Sequence, residues 1–260
     1  MTVSPHALDA AVALTPAGAH RFTGHTHPAY SNMVGPFGGT IAATLLNGVL
    51  SHPERLGDPL SLTVHYAAPI TDGAFEVHAR PMRTNRSTQH WLVELRQGDA
   101  VAAFATVLTA VRRDTWSATD AVFPSVPSAE SLPRHPGVFR TEWPKAYDMR
   151  FTDGEQVLDN VVRDDAVTRV WLRDEPPRPL DFLALSAICD AFIPRVFVRR
   201  SRAVPAGTVT LTVYFHADAA LLAAQGTAHV LGCAKGLRYS QGFHDQTAEI
   251  WSAQGDLLAV

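Results

Sequence analysis

The chain has 260 residues, 46% of them hydrophobic and 18% charged, with a formal net charge of −3. That length suits one large or two small domains, and the charge offers no basic footprint for nucleic acid. No apolar run reaches the ~18 residues a membrane span needs, and the N-terminus, MTVSPHALDAAVALTPAG, lacks the basic and continuous apolar regions of a signal peptide, so the expected location is cytoplasmic, with no membrane partner.

Along the chain, His25 and His27 come first. Their spacing of two places them on one strand face, but no acid or cysteine stands beside them, so no metal site is expected. Residues 38–50, GGTIAATLLNGVL, are apolar nearly all round, the pattern of a buried helix. Strands follow at roughly 60–67, 73–82, 88–97 and 100–112, with Leu62, Val64 and Tyr66 on one face and Ser61, Thr63 and His65 on the other. Residues 116–146 hold Pro124, Pro127, Pro133, Pro136 and Pro144 among Ser and charged residues, the composition of an extended linker over the surface. A second buried helix is expected in DFLALSAICDAFIP, residues 181–194. Asp181, after Pro179, opens it, where a carboxylate suits the first-turn N–H groups. Asp190 stands inside the apolar run, where an unpaired carboxylate is costly; Arg195 is its nearest candidate partner in sequence. Further strands are expected at roughly 207–216, 226–235, 243–252 and 256–260, with His216 and His244 as strand-end residues.

Two stretches recur. Leu62-Thr63-Val64-His65-Tyr66 resembles Leu211-Thr212-Val213-Tyr214-Phe215, 149 residues on. Gln97-Gly98-Asp99-Ala100-Val101-Ala102-Ala103 resembles Gln254-Gly255-Asp256-Leu257-Leu258-Ala259-Val260, 157 residues on. Similar strands in one order at nearly one offset, each set preceded by a buried helix, argue for a duplicated unit of about a hundred residues. The expected organisation is an N-terminal unit over 1–115, a linker over 116–146 and a C-terminal unit over 147–260.

One buried helix wrapped by an antiparallel sheet, present twice, resembles the double-hotdog acyl-CoA thioesterases. GPFGGTIAATLLNG is similar to that family's Gly-Gly helix start, and LTVHYAAPITDG and RTNRSTQHWLVELRQGD to two of its strands. ICDAFIP matches its second helix with the acid, TVTLTVYFH the next strand and AEIWSAQGDLLAV the last hairpin. The likeness spans about 20–112 and 165–260. It implies an α+β double hotdog that hydrolyses fatty acyl-CoA thioesters with no metal and no organic cofactor. Acyl-CoA is then the expected partner, and a homo-oligomer stays possible.

On that resemblance Asp190 is the candidate acid that orients or activates water. Thr208 falls where the family has a water-binding Thr, with Thr210 and Thr212 on the same strand face. Gly38 and Gly39 start a helix whose exposed N–H groups and dipole favour a developing oxyanion, Gly39 above all. Laying Phe37 against Leu180 puts Asn47 opposite Asp190, so one site per chain is expected, near Gly39. The family usually carries a Gln beyond the last strand as a third water-holding group; the chain stops at Val260, so a truncated sequence is expected. The rival readings are a catalytically silent acyl-CoA-binding or regulatory protein on the same fold, and a hotdog dehydratase or hydratase, which needs a His paired with an acid. No Gly-X-Ser-X-Gly elbow, phosphate loop or dinucleotide motif is present. Cys189 and Cys233 are too few for a metal quartet or a disulfide framework.

Overall fold

A computed structural model describes residues 5–136, 140–155 and 158–260. The first half contains α1 (Ala7–Ala11), β1 (Thr15–Pro16), β2 (Arg21–His25), α2 (Gly38–Leu50), β3 (Asp58–Tyr66), β4 (Ala74–Thr84), β5 (Thr88–Gln97) and β6 (Ala100–Ala110). The second contains β7 (Tyr147–Asp153), β8 (Thr168–Asp174), α3 (Phe182–Ile188), α4 (Arg195–Arg200), β9 (Thr210–Tyr214), α5 (Ala219–Gln225), β10 (Val230–Lys235), β11 (Tyr239–Ser240), β12 (Phe243–His244), β13 (Thr247–Trp251) and β14 (Leu257–Ala259).

One sheet runs β1-β2-β4-β5-β6-β3-β9 and another β14-β13-β10-β8-β7. A bridge between Phe215 and Ala259 and reciprocal Tyr214–Val260 backbone bonds of 2.8 and 3.1 Å join them edge to edge. From the junction outward both halves read alike: β3-β6-β5-β4-β2 on one side, β9-β14-β13-β10-β8 on the other. The junction itself pairs the strands that the sequence repeat equates. β3 and β9 are antiparallel with Thr63 opposite Thr212, flanked by Leu62–Val213 and Val64–Leu211. The two threonine hydroxyls lie 3.2 Å apart. Thr63 faces its own repeat mate, so a local twofold passes through the pair, and the pairing covers an edge of each half. α2 and α3 pack on one another inside this sheet, with Ala42, Leu45 and Leu46 of one and Ala184, Leu185 and Ile188 of the other almost fully buried. This is the expected double hotdog.

The elements depart from expectation in several places. The second helix ends at Ile188, and Asp190 sits in the turn after it. Asp190 N–H donates to Ala187 O and Ala191 N–H to Ile188 O, a tightened last turn, and Pro194 disfavours helix at residue 193. Residues 219–225, for which no element was expected, form α5 behind an Asp218 cap that accepts Leu221 N–H at 2.8 Å; the strand expected from 226 starts at Val230. The strand expected over 207–216 starts at Thr210, and that over 243–252 divides between β12 and β13. His25 ends β2, whereas His27 leaves it to cap a 3-10 turn at Pro28–Tyr30, so the two share no strand face.

Residues 123–132 pack on the outer face of the second half. Phe123 packs edge-on to Trp251 at 5.6 Å, and Trp171 Nε1 donates to Pro127 O at 2.9 Å. Ala129, Trp171, Leu231 and Trp251 form a small core of their own there.

Candidate active site

The start of α2 has no side-chain cap. Phe37 occupies the cap position, and its ring is spent on stacking against Trp143 at 4.2 Å. Phe37 O accepts from Thr40 and Ile41 N–H, leaving the earlier N–H groups of the first turn to other partners. Asp190 lies against them, and the Gly39 N–H favours the charged form of its carboxylate. A Cβ at Gly38 would lie 2.6 Å from Asp190 Oδ2 and 3.3 Å from the Tyr66 hydroxyl. That hydroxyl donates to Gly38 O at 2.9 Å. A Cβ at Gly39 would run into the Ala187 carbonyl oxygen. Two adjacent glycines therefore do two jobs. Gly38 leaves room for a carboxylate, and Gly39 lets the two helices touch.

Burial pushes the Asp190 carboxyl up to about 7, against the pull of the Gly39 N–H toward the charged form. Its side chain is enclosed by protein yet keeps some accessible surface. Burial and the Asp190 charge both drive the Tyr66 hydroxyl well above its usual range, so it stays a donor. The same two causes raise the Cys189 thiol, which excludes it as a thiolate nucleophile near neutrality. Tyr147 is raised by burial, then by Tyr30, Asp174 and Asp190 in turn, and its ring lies edge-on to Phe37 at 6.5 Å.

The structure thus brings together three of the four residues singled out in the sequence, Gly38, Gly39 and Asp190. Thr208 is exposed in the irregular stretch before β9, with no hydrogen-bond partner among the described residues; Thr210 is exposed and Thr212 belongs to the β3–β9 junction. The Gly39 N–H, expected to face a substrate oxygen, lies near the Asp190 carboxylate. Counting from the observed caps, Phe37 and Asp181, sets Leu46 opposite Asp190; Asn47 instead donates to Val12 O at 2.7 Å and accepts from Ser51. Asp181 caps α3 through Ala184 N–H at 2.8 Å. Arg195 does not pair with Asp190; its guanidinium bonds Ile193 O, Ala166 O, Thr168 Oγ1 and Gln246 Oε1. Tyr66, Trp143 and Tyr147 were not foreseen. Tyr66 gave one signal, an aromatic hydroxyl on the inner face of β3 beside Leu62 and Val64. Among the described residues no group of His, Cys, Asp or Glu is placed to hold a metal, and no helix is long and apolar enough to cross a membrane.

Two hotdogs joined edge to edge, with a carboxylate set against the start of the opposite helix, define the double-hotdog class, and the comparisons agree. Residues 27–111 match the acyl-CoA thioesterase N-terminal domain and residues 123–260 the acyl-CoA thioesterase C-terminal domain, so the chain belongs to the acyl-CoA thioesterase family. Among solved structures it is similar to a conserved hot dog fold protein of unknown function from Alicyclobacillus acidocaldarius, with 48% identity over 98% of this chain and 96% of that one and a TM-score of 0.94. It shares its fold with a tesB protein of Mycobacterium avium subspecies paratuberculosis (18% identity, 97% and 94% covered, TM-score 0.79). The same holds for an acyl-CoA thioesterase II, TesB2, of Mycobacterium marinum (16% identity, 97% and 94% covered, TM-score 0.75). No curated protein matches the chain.

Proposed function

We propose that the chain hydrolyses acyl-CoA thioesters to free acid and CoA, with Asp190 as the base that activates water. The observation that carries this reading is a carboxylate set against the first turn of α2, beside Gly38, where burial pushes it up to about 7. A base is most effective when its pKa lies near the working pH. Water adds to the thioester carbonyl while Asp190 takes its proton. The tetrahedral intermediate then expels the thiolate, and the proton passes from Asp190 to the leaving sulfur. No covalent intermediate is needed.

The Gly39 N–H beside Asp190 gives the step a further feature. In the ground state negative charge is on Asp190, and the N–H points there. As Asp190 is protonated its charge vanishes and the charge on the thioester oxygen grows. A donor beside both groups follows the charge, so Gly39 N–H serves first the base and then the oxyanion. Gly38, with no Cβ, keeps that space open. Thr208 is the candidate second contact to the water, and the acyl chain would lie along the apolar helices.

The test is turnover on a panel of acyl-CoAs, read as free thiol, for wild type and Asp190→Asn. The substitution keeps shape and removes the charge. Turnover should fall by roughly 10²–10⁴-fold, the range for loss of a general base, with CoA binding retained. Wild-type turnover in Asp190→Asn removes Asp190 from the mechanism. A wild type that binds CoA and hydrolyses none of the panel is the catalytically silent binding protein.

A further inference from the structure

Tyr66 and Phe215 hold equivalent places in the two units. Each ends its stretch of the repeat, Leu62-Thr63-Val64-His65-Tyr66 against Leu211-Thr212-Val213-Tyr214-Phe215. Each also meets the first residue of its own unit's buried helix. The Tyr66 hydroxyl donates to Gly38 O, at the start of α2, at 2.9 Å. The Phe215 ring lies edge-on to Phe182, at the start of α3, at 5.7 Å. One end is therefore a hydroxyl beside a glycine, and the other a phenyl against a phenyl. The acid shows the same contrast, since Leu46 stands opposite Asp190 when the helices are counted from their caps. Whatever the Tyr66 hydroxyl does is done at the Asp190 end alone.

Asp190 and Tyr66 come together there. The space that a Cβ of residue 38 would take lies 2.6 Å from Asp190 Oδ2 and 3.3 Å from the Tyr66 hydroxyl. Two oxygens so close to one point are near enough for a single water to touch both. The Asp190 charge also acts on Tyr66, second to burial, in raising it. Thr208, by contrast, offers its hydroxyl from an exposed stretch. A phenol carries one hydrogen and two acceptor lone pairs. Tyr66 has given its hydrogen to Gly38 O, so it has only lone pairs left to offer, and donation to a carbonyl makes them better acceptors. Asp190, when charged, is an acceptor too. A water between them meets two acceptors, one for each of its hydrogens. Both hydrogens are then fixed, and the water's own lone pairs turn away from the two residues.

We propose that Tyr66 is a further catalytic residue of this site, which holds the second hydrogen of the attacking water while Asp190 holds the first. This rests on the hydrolase reading above. As the new C–O bond forms, the first proton passes to Asp190 and then to the departing sulfur. The second stays on the oxygen and leaves in the carboxylic acid product. Tyr66 neither gains nor loses a proton; it orients the water, so it acts on hydrolysis and not on substrate binding.

Methanol supplies the test, because it can replace water as the nucleophile but has a single O–H. Its proton goes to Asp190 and then to the sulfur as before, the product is a methyl ester, and no hydrogen is left for Tyr66 to hold. In a water–methanol mixture free thiol reports total turnover, and the ratio of methyl ester to acid reports the partition. Tyr66→Phe should lower hydrolysis about 10-fold, the effect of one hydrogen bond, with KM unchanged and methanolysis at the wild-type rate, so that the ratio rises by the same factor. Tyr214→Phe, which changes an exposed phenol on β9, is the control and should leave the ratio alone. The wild-type ratio should itself lie below that of the uncatalysed reaction in the same mixture, a measurement that needs no variant and decides the matter if Tyr66→Phe does not fold. Equal losses of hydrolysis and methanolysis would show that Tyr66 only shapes the backbone around Gly38, and they overturn the proposal. Wild-type hydrolysis in Tyr66→Phe does the same, as does a wild-type ratio at or above the uncatalysed one. A wild type that forms neither acid nor ester ends the hydrolase reading and this proposal with it, whereas an active wild type whose ratio does not move in Tyr66→Phe ends this proposal alone.

Discussion

Gly38 and Gly39 are adjacent in sequence, and adding one methyl to each should have opposite consequences. At Gly38 the methyl meets Asp190 Oδ2 at 2.6 Å, the movable end of a side chain. Gly38→Ala should fold with a near-wild-type denaturation midpoint while its acyl-CoA turnover falls about 100-fold, the cost of displacing a reacting group by about 1 Å. At Gly39 the methyl meets the Ala187 carbonyl, which is backbone and cannot swing aside. Gly39→Ala should cost about 1–3 kcal/mol in urea unfolding as α2 and α3 are forced apart. Equal losses of stability in both variants would show that the carboxylate is no freer to move than the backbone. At this scale the sequence was legible where a residue conflicted with its own surroundings. Asp190 stood out as the charge in an apolar run, and Gly-Gly as a helix start without bulk. Tyr66 gave no such conflict, because its hydroxyl bonds a backbone carbonyl 28 residues away, and no local pattern encodes that partner. Thr208 was placed by aligning the strand expected from 207 with the family's, and the strand begins three residues later, at Thr210.

α2 could be read to its observed ends because a long apolar stretch between Gly and Ser has no other stable use. α5 was missed although its signal was present: Asp218 before AALLAAQ is a cap followed by good helix formers. Strands alone were expected after each buried helix, so it had no place. β2 and β8 were missed for a related reason. Each unit was counted from its helix onward, and these strands precede the helices. The repeat did locate the β3–β9 junction, where Thr63 opposes Thr212. Cross-strand pairs there are coupled, and like charges directly opposite are unfavourable. Thr63→Arg combined with Thr212→Arg should lose more stability than the two single changes summed, by roughly 0.2–1 kcal/mol. Thr63→Arg with Thr212→Glu should recover it. Strict additivity in both cycles would mean that the two side chains do not face each other and that the local twofold lies elsewhere.

Across the whole molecule two buried carboxyls set a conflict between stability and activity. Asp174 is only 3% exposed, its Oδ1 has no partner among the described residues, and burial raises it to about 7, as it does Asp190. Both have folded-state pKa values above the unfolded value of 3.8. Between about pH 4 and pH 7 the folded chain therefore binds more protons than the unfolded one, and stability falls as pH rises through that window. Asp148 acts in the opposite sense. It is lowered, despite the burial that pulls it upward, by its bonds to Arg150 and by His229, so the stability it contributes is lost in more acidic solution, as pH falls through its folded value. Hydrolysis should rise over the same interval in which Asp174 and Asp190 lose their protons, because only the charged Asp190 is a base. Asp190→Asn and Asp174→Asn should each raise stability at pH 8, by on the order of 1 kcal/mol after allowing for residual solvent contact, and each should flatten the decline between pH 5 and 8. Only Asp190→Asn should also abolish the rise in hydrolysis with pH. Thermal midpoints and turnover measured on both variants from pH 5 to 8.5 separate the two roles. A pH profile of turnover that moves with Asp174→Asn as far as with Asp190→Asn would place Asp174 in the catalytic site, whereas midpoints that track wild type at every pH would show that burial leaves neither carboxyl protonated.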